Sequence, residues 1–342
     1  MTSKQGRSKI RWILASGVAA GATVLLVWWA GPERVRAASA AIGWRGCLWL
    51  LALYTISQAA RTWRVQLGFP REERPGFFEI FAITNLHQFS NHLIPARLGE
   101  FAFPFLLHRR SGIPPEQSLA LLLRIRMQEV FVLGVLFIAA LTRLATGAHS
   151  EVSRSVHWAP LIAIGGATLL IPLLVERAIP RLAAWGATLT DRMTVRVRHP
   201  RLVGWSTRIA SGLKRLGKAT ATPTTTGKRI ATFLLTVVVW ILIYGLFHEA
   251  MRLSGHPVSL AATIVGASFA NLAQVLPVNT LGSIGSMEAG WTLGFGLVGV
   301  QPQLALATAI IVHALVLAFL ALFCIPSWLW LRRRRHVKGN AL

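Results

Sequence analysis

Apolar residues in this chain neither alternate with a period of two nor trace one face of an amphipathic helix; they come in unbroken runs separated by clusters of arginine and lysine. A helical run of about 20 residues rises about 30 Å, the thickness of a bilayer's hydrocarbon core. Runs at 11–30, 41–60, 116–143, 157–175, 230–252 and 303–331 predict six full spans. Two further stretches do not read as plain spans. Between Phe77 and Pro95 the polar residues Asn85, His87, Gln88, Asn91 and His92 occupy the middle, and Pro95-Ala96-Arg97-Leu98-Gly99-Glu100 then breaks the helix. Broken backbone at membrane depth is tolerated only where it is buried in protein or faces water, so residues 77–95 and 98–110 predict the two arms of a re-entrant hairpin. Segments 258–277 and 286–299 flank a second break, Leu276-Pro277 through Gly282-Ser283-Ile284-Gly285. The expected fold is an all-α integral membrane protein: about six full transmembrane spans and two re-entrant broken-helix hairpins in one polytopic domain.

Composition agrees with the pattern. Hydrophobic types make up 54% of the 342 residues and charged types 14%, which excludes disorder and argues against a soluble globule. The formal charge of +24 raises nucleic acid as a partner, but the basic residues sit between apolar spans, where they first encode topology. The N-terminal tail carries Lys4, Arg7, Lys9 and Arg11 and no acid, and Ala38-Ser39-Ala40 resembles a signal-peptidase site after a run longer than a typical leader, so an uncleaved first span is expected. Arg61-Thr62-Trp63-Arg64 reads as a cationic and aromatic stop at an interface. The stretch 176–229 holds twelve Lys/Arg against two acids and reads as a cytoplasmic loop, with Leu202, Trp205, Ile209, Leu213 and Leu216 at the spacing of an interfacial helix on an anionic leaflet. Thr220 to Thr226 reads as a short linker. Both termini then lie in the cytoplasm of a multi-pass protein of the bacterial inner membrane. Cys47 and Cys324 show neither a disulfide framework nor a metal-ligand spacing.

The two broken regions, 77–143 and 258–331, share an order of landmarks. Pro95 precedes Gly99-Glu100, and Pro277 precedes Gly285-Ser286-Met287-Glu288; each acid is followed by an apolar arm, a Gly-x-Pro or Gly-x-x-Pro turn and an Ala/Leu-rich helix. Setting Gly112 against Gly299 aligns Arg126 with His313. With one hairpin entering from each side, the repeat is inverted, a plan that secondary transporters use because exchanging the conformations of the halves exchanges the open side.

Asn91-His-Leu-Ile-Pro-Ala-Arg-Leu-Gly-Glu100, the Arg126-x-x-Glu129 pair, Leu276-Pro277…Gly282-x-x-Gly285-x-x-Glu288 and Arg61-Thr62-Trp63 resemble the lysylphosphatidylglycerol synthase transmembrane, or flippase-like, family over residues 45–330. The resemblance implies a module that moves a lipid across the bilayer, without the soluble synthase domain. The chain departs from the family's usual Glu-Arg-x-x-Asp by reading Ile125-Arg126-Met127-Gln128-Glu129.

The expected site gathers Asn91, Arg97, Glu100, Arg126, Glu129 and Glu288, with Pro95, Gly99, Pro277, Gly282 and Gly285 shaping the breaks. Ionisable residues inside a membrane are costly, which is why each is a functional candidate. Each also has a structural reading: an Arg97–Glu100 ion pair holding the hairpin, mutual neutralisation of Arg126 and Glu129, and an N-terminal cap made by Glu288. For His87, His92 and His313 the structural role is favoured over ligation, because no carboxylate or second histidine stands at metal spacing. His248-Glu249-Ala-Met-Arg252 lacks the second histidine of a zinc protease helix, and Gly294-Phe-Gly296-Leu-Val-Gly299 matches a dinucleotide fingerprint by letters alone, without the preceding strand. No Gly-x4-Gly-Lys-Ser/Thr loop is present, so transport is expected to be passive or ion-coupled. The expected function is translocation of a lipid with an anionic or aminoacylated headgroup, with Arg97 and Arg126 on the headgroup; no cofactor, metal or nucleic acid is expected. The alternatives are a non-transporting accessory subunit beside a lipid-modifying enzyme and, third, an intramembrane transferase using Glu100 or Glu288 as base.

Overall fold

The computed structural model describes residue 17 and residues 20–146, 158–196, 200–221, 225–275 and 281–339. Every regular element among them is helical: α1 (Ala20–Ala30), α2 (Pro32–Gly68), α3 (Phe77–Leu93), a 3-10 segment (Pro95–Phe101), α4 (Ala102–Ser111), α5 (Pro115–Thr146), α6 (Trp158–Arg196), α7 (Pro200–Ala221), α8 (Thr226–Leu253), α9 (Leu260–Val275), a 3-10 turn (Leu281–Ser283), α10 (Ser286–Leu297) and α11 (Pro302–Gly339). Five of them, α2, α5, α6, α8 and α11, are long and apolar enough to cross a membrane. Outward faces among them carry Ile56, Ile171, Leu234 and Ile325 at half exposure or more, a surface suited to acyl chains rather than water. The chain is thus a multi-pass helical membrane protein. The first expected span is described only from Ala20, and residues 11–16, 18 and 19 lie outside the described residues.

Two expectations need correction. The second apolar run does not stop at Ala60. Helix α2 continues to Gly68, so Arg61 to Arg64 form part of a helix packed against protein rather than an interfacial stop. Earlier in α2 the helix breaks at Gly43, whose φ of 59° and ψ of 178° are inexpensive only for glycine. The basic stretch 176–229 is also mostly helix. Helix α6 runs on past Glu176 to Arg196, and α7 folds back along it. Leu213 packs over Gly186, and Gly217 faces Ala183, so one residue of the apolar stripe that the sequence reading assigned to a lipid surface, Leu213, meets α6. The side chains of Leu202 and Trp205, and residues 222–224 of the expected linker, lie outside the described residues.

Both expected helix breaks lead into hairpins. In the first, Ser111 on α4 donates to Glu79 on α3 at 2.9 Å, Phe103 packs on His87, and Gly99 lies against the backbone of Ser90, so the arms run antiparallel from open end to tip. In the second, Gly294 on α10 lies against the Gly266 backbone of α9, and Gly290 against Phe269 and Ala270. A Cβ at Gly99, Gly290 or Gly294 would collide with main-chain atoms. These glycines therefore permit the close approach, as small residues do at membrane helix interfaces. The Gly294–Gly299 letters that mimic a nucleotide motif are thus helix packing followed by a turn.

The hairpins lie at opposite ends of α5. Leu107, Ile113 and Ile80, at the open end of the first, share a core with Leu121 and Leu122 near the start of α5. Val265 and Leu297, toward the open end of the second, cluster with Phe137 and Leu141 near its finish. The tips meet, the 3-10 segment Pro95–Phe101 touching the turn Leu281–Ser283. The long helices cross over reciprocally. Helix α5, which follows the first hairpin, packs on α9 of the second, and α11, which follows the second, packs on α3 of the first. A larger core of Tyr54, Tyr244, Met251, Trp291 and Leu320 fastens α2 and α8 to the second hairpin and α11.

Candidate functional site

Five charged side chains meet where α2, α5 and the tip of the first hairpin converge. Arg126 and Glu129 stand three residues apart, on one face of α5 and near its middle. The Arg126 guanidinium donates through Nη1 to Glu129 Oε2 at 2.6 Å and through Nη2 to Glu100 Oε1 at 2.7 Å. One arginine thus ties the hairpin tip to a long helix. Glu129 Oε1 also accepts from Arg64 Nη2 at 2.6 Å, while Arg64 Nη1 donates to Thr236 Oγ1 of α8 at 3.2 Å. Arg61, one turn earlier on α2, holds its Nη1 3.8 Å from the same Glu129 oxygen. Glu129 is 3% exposed and Arg64 2%, so these are buried ions, and burial of an ion is offset only when each carboxylate and guanidinium has close partners.

The charges do not cancel. Among the described residues, Arg61, Arg64 and Arg126 face Glu100 and Glu129, three guanidiniums against two carboxylates. The excess is best placed on Arg61, whose 3.8 Å separation from Glu129 is the longest of the set and too long for a hydrogen bond, whereas Arg64 and Arg126 each reach a carboxylate at 2.6–2.7 Å. Polar neighbours extend the site along α2 and α3. Gln88 Nε2 donates to Gln58 Oε1 at 2.8 Å, Gln58 Nε2 lies 2.6 Å from the Tyr54 hydroxyl, and His87 Nε2 lies 3.4 Å from Glu100 Oε2 and 3.3 Å from Asn91 Nδ2.

The expected residues divide accordingly. Glu100, Arg126 and Glu129 are brought together, and Asn91 reaches them through His87. Glu100 pairs with Arg126 and His87; the side chains of Pro95 and Arg97 lie outside the described residues, as does Pro277 altogether. Glu288 stands apart from this cluster, at the tip of the second hairpin. It caps α10, its Oε2 accepting from Gly285 N–H at 2.7 Å, and its Oε1 lies 2.6 Å from His313 Nδ1 of α11. Gly285 (φ 91°) and Gly282 (φ 70°) make the turn that brings that N–H round. Both members of the Glu288–His313 pair are nearly fully buried. His87 and His313 each have a carboxylate beside them that comes from a distant segment, which sequence spacing does not display. Among the described residues no group of three or more His, Cys, Asp or Glu side chains is arranged to hold a metal. His248 lies 3.3 Å from the Thr263 hydroxyl, and Glu249 is paired with Arg252 at 2.6 Å.

Arg61, Arg64 and Thr236 are the residues the sequence reading missed. A signal was present: Tyr54, Gln58, Arg61 and Val65 follow i, i+4, i+7, i+11, so three polar groups line one stripe of an otherwise apolar helix, with Ser57 and Arg64 at its edge. A charge that terminates a span need not share a face with glutamine and tyrosine; one that lines a site does.

No curated protein and no solved structure shows significant similarity to the chain. A family model does match, across residues 12–324, and it covers the hairpins, α5, the charged cluster and the Glu288–His313 pair together. The chain belongs to the family of the lysylphosphatidylglycerol synthase transmembrane region.

Proposed function

We propose that the protein translocates a lipid or lipid-linked molecule with an anionic or aminoacylated headgroup between the leaflets of the bacterial inner membrane, acting as a transporter and carrying out no covalent chemistry. The observation that carries this reading is the unbalanced cluster at mid-span: three guanidiniums against two carboxylates, with Arg61 the least satisfied. A phosphate at Arg61 neutralises the excess, and a guanidinium grips it through two N–H donors. The family membership supports a lipid-related role. Arg126 serves this site as a strut between Glu100 and Glu129 rather than as the headgroup ligand, and Arg61 takes the place that sequence reasoning gave to Arg126.

Placement of the hairpins at opposite ends of α5, with tips in contact and long helices exchanged, supports an inverted repeat with re-entrant arms. Helix α4 has ten residues and α10 twelve, about 15 and 18 Å of helix, half of a hydrocarbon core. The two short arms meeting at the hairpin tips together match about one membrane thickness, an arrangement that secondary transporters use to open a site to either side in turn. Basic stretches at 4–11, 176–229 and 332–338 support a cytoplasmic side for both termini by the charge rule.

Purified protein in liposomes tests the reading, with tail-labelled fluorescent phosphatidylglycerol and its lysyl ester as probes and an external quencher to report leaflet exchange. Exchange above protein-free vesicles, lost in Arg61→Gln, is the expected result. Protein-free rates for both probes and for extracted native lipids would leave an accessory subunit as the better description.

A further inference from the structure

A cavity of about 460 Å³ opens beside the first turns of α5, apart from the charged cluster near the middle of that helix. Its wall is made by the end of α2 (Gly68, Phe69), the first turns of α5, the last turns of α7 and the start of α8. Ala120 and Leu121 supply an apolar side along with Phe69. Arg124, Arg215, Lys218 and Lys228 line it with one carboxylate, Glu116, so the lining carries a net charge of +3. Arg215 Nε donates to Glu116 Oε1 at 2.5 Å, and Lys228 Nζ donates to the Phe69 carbonyl at 3.3 Å, contacts that hold both cations at the wall. Arg229 and Glu176 act on Arg124 with opposite sign, so Glu176 offsets part of the repulsion from Arg229.

The start of α8 contributes a second feature. Thr225, at the N-cap position, lines the cavity and makes no side-chain cap bond, so the first turn of α8 with its N–H groups lies beside the cavity. The cavity is a different place from the mid-span cluster. Gln117, Ala120, Leu121 and Arg124 follow i, i+3, i+4, i+7 on one stripe of α5, and Arg126, two residues beyond Arg124, points to about the opposite side of the helix.

We propose that this cavity binds a phosphomonoester, with Arg124, Lys218 and Lys228 as its ligands and the apolar wall formed by Phe69, Ala120 and Leu121 accepting whatever the phosphate is attached to. A net +3 lining suits a dianionic monoester better than a singly charged diester or carboxylate. The apolar wall fits an amphiphile. A separate anion site at one membrane face gives the protein a place to hold an anionic lipid, or a soluble phosphate compound, apart from the translocation path.

The test uses the full chain in detergent, with dioctanoyl phosphatidic acid, dioctanoyl phosphatidylglycerol and inorganic phosphate as probes, read by native mass spectrometry and by thermal unfolding. Phosphatidic acid should bind more tightly than phosphatidylglycerol, and each of Arg124→Gln and Lys228→Gln should weaken it about tenfold or more. Arg109→Gln, an exposed arginine on α4 outside the cavity, should change nothing. Ala219→Phe keeps every charge and fills the cavity, and should block binding while the unliganded protein unfolds at nearly the same temperature. Competition by inorganic phosphate alone assigns the site to a soluble phosphate compound; failure of that competition assigns it to a lipid. Equal binding by wild type, Arg124→Gln and Ala219→Phe overturns the site, and because the probes are read by binding alone, that result is separable from any loss of leaflet exchange.

Discussion

Glu288 and His313 form a buried pair, Oε1 to Nδ1 at 2.6 Å, between the tip of the second hairpin and the long helix that follows it. Glu100 and Arg126 form the same link in the first half, at 2.7 Å. Each acid sits just past a helix break, and its basic partner lies 25 or 26 residues later. The sequence offset that sets Gly112 against Gly299 also sets Arg126 against His313, and each of these two residues stands on a long helix, at 2.7 and 2.6 Å from a hairpin-tip carboxylate. One half uses a guanidinium and the other an imidazole.

From this follows the first prediction. Glu288→Gln retains an amide oxygen that can accept from the Gly285 N–H, so the cap survives while the acid is lost. We expect unfolding within a few degrees of wild type in detergent and loss of leaflet exchange, and Glu100→Gln should behave alike. Aggregation of both variants would make the carboxylates structural.

Glu129 should respond differently. It is held by Arg64 and Arg126 at 2.6 Å with Arg61 near, and its removal leaves three guanidiniums facing Glu100 alone. Breaking a buried pair from one side costs about 3–5 kcal/mol, so Glu129→Gln should lower the unfolding temperature well beyond any shift seen for Glu100→Gln. Comparable melting of the two variants would contradict the buried-hub role of Glu129.

The glycines at the hairpin contacts make a steric prediction. Alanine at Gly99 or Gly294 places a Cβ into the backbone of Ser90 or Gly266, which no side-chain rotamer change can relieve. Overpacking of this kind costs about 1–3 kcal/mol or more. Gly245→Ala, on a helix with open space at that position, is the control and should be neutral in the same melting assay.

Much of this organisation was legible in the sequence, and the reasons are physical. Span length and polar interruption set hairpin positions to within a few residues, because a bilayer imposes both the length of a span and the penalty for broken backbone. The Arg126–Glu129 pair was legible because helical spacing alone brings i and i+3 together. Arg64 was not: its partner is 65 residues away, and Arg-x-Trp-Arg at the end of an apolar run fits an interfacial stop equally well. Likewise 176–229 looked like a loop because charge density falls the same way on a solvated loop and on a paired extramembrane helix; the contact of α7 with α6, which distinguishes them, is tertiary.

Topology has its own check. Ser111 lies at the open end of the first hairpin and Ala221 at the end of α7, whereas His256 follows α8 at its far end. Cysteines at Ser111 and Ala221 should react with a membrane-impermeant maleimide only in inverted vesicles, and a cysteine at His256 only in intact cells. Labelling of Ser111→Cys in intact cells would place the first hairpin on the wrong side and end the inverted-repeat reading.

The last prediction separates the two roles assigned to arginine. Arg126 binds two carboxylates from two elements through different nitrogens of one planar group, and a lysine ammonium is a compact point charge that cannot span the same geometry. Arg126→Lys should therefore uncouple the hairpin tip from α5, lowering both stability and exchange. Arg61 has no bond of that quality to lose, so Arg61→Lys should fold like wild type. If Arg61 meets the headgroup phosphate, its lysine variant keeps the charge and loses the two-pronged grip, so exchange should slow while the melting temperature stays put; Arg61→Gln should abolish exchange at the same unchanged melting temperature. A fall in melting temperature for Arg61→Gln as large as that for Arg126→Lys would make Arg61 one more strut and remove it from the substrate path.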